Sequence, residues 1–282
     1  PLEGIDPRSP VPLGHPGRRV AGAAVVLLLA IAAWSVATNP NFQWSVVGHY
    51  LFRQPILAGV LVTVELTISC MAIGIAVGIV IALMRLSQNR LLSNAAIAYI
   101  AAFRGTPALV QIMFWYNLSA LFPTIGLSVP FGPTLFAVNA NMLITPLVAA
   151  NLGLGLCEGA YMAEIVRSGI LSVDPGQGEA ASAVGMSRAQ TMRWIILPQA
   201  LRVIVPPTGN QMIGMMKYTS LASVISVTEL LTSTQLIFTR TFETIPLLIV
   251  ASIWYLALTS LLTLGQRFVE RKLGRSHVDV PA

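Results

Sequence analysis

The sequence predicts an all-α protein embedded in a bilayer, with about six transmembrane helices, and three observations carry that expectation. Of 282 residues, 55% are hydrophobic and only 10% are charged, with a mean hydropathy of +0.74. A soluble domain carries roughly 25% charged residues, so this surface suits lipid better than water. Apolar runs of about 20 residues recur along the chain, the length a helix needs to cross ~30 Å of hydrocarbon. Basic residues cluster beside those runs, at Arg18-Arg19, Arg85 and Arg90, Arg188 and Arg193, and from Arg267 to Arg275. That is the pattern of helix ends facing the cytoplasm.

The clusters also account for the net charge of +6, so no nucleic-acid partner is expected. Cys70 and Cys157 lie inside apolar runs, which argues against a disulfide framework. His15, His49 and His277 are far apart and outside those runs, and no metal site is expected.

Taken in order, residues 1–17 are rich in Pro and Gly without an apolar period and read as a disordered tail. Residues 18–52 hold an apolar run, Val20 to Val36, read as an N-terminal transmembrane helix followed by an outside loop. Ser35-Val36-Ala37 resembles a cleavage site, so a removed signal peptide is the rival to a retained anchor. Ile56 to Met84 is interrupted by Glu65 and small polar residues and is long enough to span with tilt. Leu91 to Phe103 reads as an amphipathic or interfacial helix, ended by Arg104-Gly105-Thr106-Pro107 because proline disfavours helix in the residue before it. Ala108 to Leu121 is expected as a further span. Phe122 to Pro133, with three prolines, two glycines and no charge, is expected as an outside loop.

Thr145-Pro146 starts a helix that runs to about Arg167. Residues 168–197 form the longest polar stretch. Two more spans follow, at 199–226 and 246–266, and residues 276–282 form a tail. Pro206-Pro207 is expected to break the 199–226 span, since the pair removes two backbone donors. The three outside segments carry only Arg53 and Arg240, which places both termini in the cytoplasm.

Charge inside a span marks candidate function, because a charged side chain at the bilayer centre costs roughly 2.5–3.5 kcal/mol on insertion scales. Glu158 falls near the midpoint of its helix. Asn151, Gly155, Glu158 and Met162 share one helical face bordered by Tyr161. That stripe either lines a pathway, or Glu158 is an internal glutamate bonded to a neighbouring helix or protonated. Glu164 and Arg167 have the spacing of an ion pair. Beyond the proline pair, Met212, Met215, Met216, Thr219, Ser223 and Ser226 lie along a broad face that lines a cavity, packs a neighbour closely, or both.

The polar stretch has its own local logic. Asp174 can cap a helix that begins at Pro175. Gly185 can take the left-handed conformation that ends it. Ser187 and Gln190 can form a capping box for a second short helix, and Pro198 marks re-entry into the membrane.

Glu179-Ala180-Ala181, then Gly185, Ile195, Leu197 and Pro198, resemble the EAA loop of binding-protein-dependent ABC importer permeases. Further runs resemble the polar amino acid branch of that family: Phe103 to Pro107, Gly159 to Ile165, Leu197 to Arg202, Pro206 to Gln211 and Lys217 to Leu221. The resemblance covers Ile56 to Arg275. It implies a five-helix permease core over residues 53–275, with the N-terminal helix additional to it. It implies that the loop docks into an ATPase, and that the chain is the permease subunit of an ATP-driven importer for polar amino acids in a prokaryotic inner membrane.

The implied partners are two ATPase subunits, a second permease subunit (identical or not), an extracellular or periplasmic amino-acid-binding protein, and membrane lipid. ATP and Mg belong to the ATPase, since no G-x-x-x-x-G-K-[ST] loop occurs here. No cofactor and no catalytic residue is expected in this chain. The expected pathway residues are Asn151, Glu158, Tyr161, Glu164, Met215, Tyr218, Thr219 and Ser223. In relatives the glutamate matching Glu164 can face substrate. Many relatives carry an acid or amide at the position of Tyr218, which leaves that contact open. With Arg104 and Arg202 expected near the inner interface, Glu158 and Glu164 favour a cationic substrate. The alternatives are an ion-coupled secondary transporter, which leaves the EAA loop unexplained, and a membrane enzyme, for which no nucleophile and base pair is evident.

Overall fold

A computed structural model describes residues 16–128 and 134–274. The expected tails at 1–17 and 276–282 lie outside these residues, apart from Pro16 and Gly17, which open a helix. The chain divides after Val46 into two units. In the first, α1 (Pro16–Thr38) is followed by a short 3-10 turn capped by Asn39, whose side chain accepts from the Asn41 amide. Residues 20–38 of α1 have the length and hydropathy of a membrane span. Helix α2 (Trp44–Tyr50) leads into the second unit.

Helix α3 (Gln54–Arg85) carries Pro55 in its first turn and is the longest apolar span. Ser93 closes its end, taking the Arg85 guanidinium at 3.1 Å and donating to the Arg85 carbonyl. Asn89 then caps α4 (Arg90–Gly105) by accepting from the Leu91 amide. Helix α5 (Ala108–Tyr116) leaves α4 at 101°. Its 9 residues reach about 14 Å, half the hydrocarbon thickness, so the span expected over 108–121 exists only as one arm of a bent pair. The four-residue α6 (Leu118–Leu121) continues it after Asn117.

Within the expected outside loop, Phe122 to Pro133, lies β1 (Thr124–Ser128), which pairs antiparallel with β2 (Thr134–Asn139) beyond it, Thr124 opposite Asn139. Threonines and branched apolar residues favour that pleat; residues 129–133 of the loop lie outside the described residues. After α7 (Ala140–Leu143), Thr145 caps α8 (Pro146–Leu171), the most enclosed helix of the unit. It has the length of a span, but its glycines, Asn151 and Glu158 keep it out of the hydropathy range that α1, α3 and the last helix satisfy.

Helices α3 and α8 meet through glycines. A side chain at Gly74 would stand 2.6 Å from the Glu158 Cγ, one at Gly155 2.8 Å from Ile73, and one at Gly159 2.8 Å from Val77. The runs Gly74-x-x-x-Gly78 and Gly155-x-x-x-Gly159 face each other, and small residues at that spacing let membrane helices approach closely. Leu66, Cys70, Ile112, Leu154 and Met215 form the core above this seam, and Ala82, Met162, Val166 and Ile204 the core below it.

The polar stretch folds into α9 (Pro175–Ala183) and α10 (Arg188–Thr191). A π turn at Met192–Ile196 joins α10 directly to α11 (Leu197–Tyr218). Contrary to the expected break, α11 passes straight through Pro206 and Pro207. Proline keeps a helical φ; what it removes is a donor. The pair leaves the Arg202 and Val203 carbonyls without their helical donors, while beside it the Thr208 hydroxyl donates to the Ile204 carbonyl at 2.8 Å and the Gln266 amide to the Pro206 carbonyl at 3.2 Å. The regular helix gives way later, at a 3-10 segment over Thr219–Ile225 that ends on Ser226 with φ 61°. Glu229 caps α12 (Leu230–Thr241), and α13 (Thr244–Gly274) is the last span. Among the described residues, three helices therefore qualify as spans singly, and up to five if each bent pair counts as one.

Candidate functional site

Two regions of the second unit gather the residues that the sequence singles out. The first is a cavity of about 580 Å³ beside α8. Its α8 wall is Leu154, Cys157, Glu158 and Tyr161, a stripe of one helical face. The elbow between α4 and α5, Arg104 to Leu109, forms a second wall, and Gln211, Met215, Tyr218 and Leu221 a third. A smaller cavity of about 360 Å³ shares Arg104, Tyr161 and Gln211 with the first and continues along α8 to Glu164, Ile165 and Ser168. The two cavities thus lie side by side along α8, with Arg104, Tyr161 and Gln211 bordering both.

Glu158 is buried, with 4% of its surface exposed. Its stem rests on Gly74 of α3 and its Oε1 accepts from the Gln211 amide at 3.1 Å. The glycine thus decides where the carboxylate sits: with no Cβ at residue 74, the acid can lie between α3 and the cavity. The Arg104 guanidinium stands over the Tyr161 ring, 5.0 Å from its centroid, a geometry in which the ring face attracts a cation. Glu164 accepts two hydrogen bonds from the Arg167 guanidinium, at 2.7 and 3.1 Å, so its charge is already paired. A carboxylate, a guanidinium, a phenol and an amide therefore border one cavity, the carboxylate buried and the guanidinium and phenol exposed.

Of the expected pathway residues, Glu158, Tyr161, Met215 and Tyr218 border the larger cavity, and Tyr161 and Glu164 the smaller. Asn151, Thr219 and Ser223 border neither. Asn151 donates to the Leu147 carbonyl and accepts from the Cys70 thiol at 3.6 Å; Thr219 is fully buried and donates to the Met216 carbonyl. Gly155 and Met162, expected on the same stripe, face α3 instead. Sequence reasoning placed Arg104 near the inner interface and missed Gln211 as a wall residue. Gln211 does close the Pro206–Gln211 run on which the family resemblance rests, and the facing glycine pairs were a further available signal.

The second region is the segment from Asp174 to Pro198. The Asp174 side chain accepts from the Gly176 amide at 2.7 Å and starts α9. The helix ends in a Schellman turn: the Gly185 amide donates to Ser182 and the Met186 amide to Ala181, each at 3.0 Å, with Gly185 at φ 81°. Ser187 and Gln190 form both halves of a capping box. Glu179 and Ala180 face solvent while Ala181 is buried. Val184 and Trp194 are exposed, and the Arg193 guanidinium lies over the Trp194 ring. In the π turn the Leu197 amide reaches back to Met192, and Ile195, Leu197 and Pro198 carry the chain into α11.

Known proteins align with both regions. The family described as "Binding-protein-dependent transport system inner membrane component" matches residues 74–275. An arginine transport system permease protein, ArgU of Corynebacterium glutamicum, is 44% identical over 262 residues, 92% of this chain and 81% of that protein. A glutamine transport system permease protein, GlnP of Escherichia coli, is 33% identical over 83% of this chain and 98% of its own length. Among solved structures, an amino acid ABC transporter crystallised with histidines superposes with a TM-score of 0.65 at 34% identity, over 77% of this chain and 94% of the other.

Proposed function

The chain belongs to the family of binding-protein-dependent transport system inner membrane components, and from that premise we propose that it is the permease subunit of an ATP-driven importer for polar amino acids, cationic ones first. It is a transport subunit, not an enzyme. The observation that carries the substrate class is the cavity whose lining holds both Glu158 and Arg104. An amino acid brings an ammonium and a carboxylate, and a cavity of low dielectric strengthens the attraction of each to a fixed opposite charge. The likeness to an arginine transport system permease supports a preference for substrates with a second positive group.

Binding-protein dependence brings an ATPase and an external binding protein as partners. In this reading two ATPase subunits hold the ATP and Mg, and a second permease subunit, identical or related, completes the pathway. The loop from Asp174 to Pro198 faces the cytoplasm and docks on an ATPase through the exposed side of α9, around Glu179, Ala180 and Gly185. The continuity of α10 with α11 through the π turn supports this, because a displacement passed to α10 runs along unbroken helix to Gln211 and Met215. Both termini then lie on the cytoplasmic side of the inner membrane. Each ATPase state shifts the permease toward the conformation it binds better.

The test is uptake into proteoliposomes holding the permease, its ATPase and its binding protein, with labelled arginine, histidine, glutamine and glutamate. ATP-dependent uptake that is greatest for arginine is expected. Uptake driven by an ion gradient without the ATPase would overturn the reading, and ATP-driven uptake of glutamate alone would overturn the substrate class.

A further inference from the structure

The elbow between α4 and α5 poses a problem of its own. A 101° turn leaves the last carbonyls of α4 without helical partners. Gln111, one turn inside α5, supplies one of the missing partners. Its Nε2 donates to the Phe103 carbonyl at 2.9 Å, to the Thr106 carbonyl at 3.1 Å and to the Thr106 hydroxyl at 2.8 Å. Thr106 in turn donates to the Ala102 carbonyl at 2.8 Å. A single amide therefore ties both arms of the elbow together, and it is 8% exposed, beyond the reach of competing water.

The same elbow, Arg104 to Leu109, is one wall of the cavity that faces Glu158. Gln111 is not among the cavity's lining residues; it stands behind that wall, toward an apolar hollow bounded by Val110, Phe114 and Trp115. Its Oε1 is buried there without a hydrogen-bond partner among the described residues. An amide so placed is costly to bury with half of its capacity unused. Simple filling of the site would be served better by an apolar side chain, so the donors are what the position requires.

We propose that Gln111 is a positioning residue for transport: by fastening the elbow it holds Arg104 and the α4–α5 wall at the distance from Glu158 that substrate binding needs. The inference rests on the amino acid reading of the cavity. Loss of the donors lets the two arms open, and Arg104 shifts relative to Glu158, the other charged residue of the cavity lining.

Two variants separate the donors from the shape. Gln111→Met keeps the length and removes every hydrogen bond; Gln111→Glu keeps the shape and the acceptors and removes the amide donors. Spin labels on Asn94→Cys in α4 and Asn117→Cys after α5 read the elbow directly, in the complex with the ATPase. Binding of radiolabelled arginine to the same solubilised complex, without the binding protein, reads the cavity. Both variants should broaden and shift the distance distribution and weaken arginine binding by about tenfold, the scale of losing a buried hydrogen-bonded partner. Unchanged distances with weakened binding would mean that the amide meets the substrate itself, and changed distances with unchanged binding would mean that the elbow does not shape the cavity; either overturns the proposal. Absence of arginine binding in the unaltered complex would defeat the transport reading instead, a failure told apart by the protein that shows it.

Discussion

Helix α8 and the loop that follows it are adjacent in sequence and are built by opposite means. In the loop from Asp174 to Pro198 each turn follows from a residue a few positions away: Asp174 on Gly176, Gly185 on Ser182, Ser187 on Gln190. In α8 almost nothing is local. The place of Glu158 depends on Gly74, more than 80 positions earlier, and on Gln211, 53 later. The difference teaches where each region is vulnerable. A loop fixed by short-range signals should tolerate change in its surroundings and fail only at its own turn residues. A helix fixed by its neighbours should fail when those neighbours are altered, with its own sequence intact.

The largest effect that would sharpen this contrast is expected at Gly74→Val. The new side chain meets Glu158 at its Cβ and Cγ, atoms too near the backbone to swing aside. Overpacking of that kind costs on the order of 3 kcal/mol. The melting temperature of the purified permease should fall by several degrees, and arginine uptake should be lost with it. An unchanged melting temperature would mean that the α3–α8 seam is loose enough to absorb a branched side chain, and the contrast would fail there.

Next in size is Glu158→Gln. It keeps the volume and a hydrogen bond to Gln211 and removes only the charge. Arginine uptake should fall about tenfold or more, as expected when a desolvated charge pair with substrate is lost, while assembly with the ATPase and basal ATP hydrolysis stay near normal. Equal uptake by the two proteins would make Glu158 a structural glutamate.

The smallest effect belongs to the loop. At φ 81° Gly185 occupies a conformation that costs a side chain roughly 1–2 kcal/mol, and no atom stands near enough to clash with a Cβ. Gly185→Val should weaken binding-protein-stimulated ATP hydrolysis several-fold and leave the melting temperature of the permease within a degree or two. A large loss of stability instead would show that the loop is packed into the helices as tightly as α8 and is not locally built.

What the sequence determined by itself was everything with a short range or a strong average. Composition and run length specified a helical membrane protein, because lipid admits few other solutions. Asp174, Gly185 and Ser187 specified the loop, because a cap or a left-handed turn needs one residue type within a few positions of its partner. The midpoint glutamate of α8 was legible for the same reason, since a charge in an apolar run stands out without any knowledge of the fold. Tertiary structure decided the rest. Pro206 and Pro207 read locally as a break, yet α11 continues through them, with Gln266 of α13 donating to the Pro206 carbonyl beside it. Asn151, Gly155 and Met162 share a helical face with Glu158, yet only the glutamate reaches the cavity, because the glycines of α3 and α8 draw that face into a seam. Arg104 and Gln211 became wall residues only when the elbow and α11 closed around α8. Periodicity assigns a residue to a face, but whether that face meets a cavity or another helix depends on which chain segment packs there, and contacts between residues 50 or more positions apart leave no local trace.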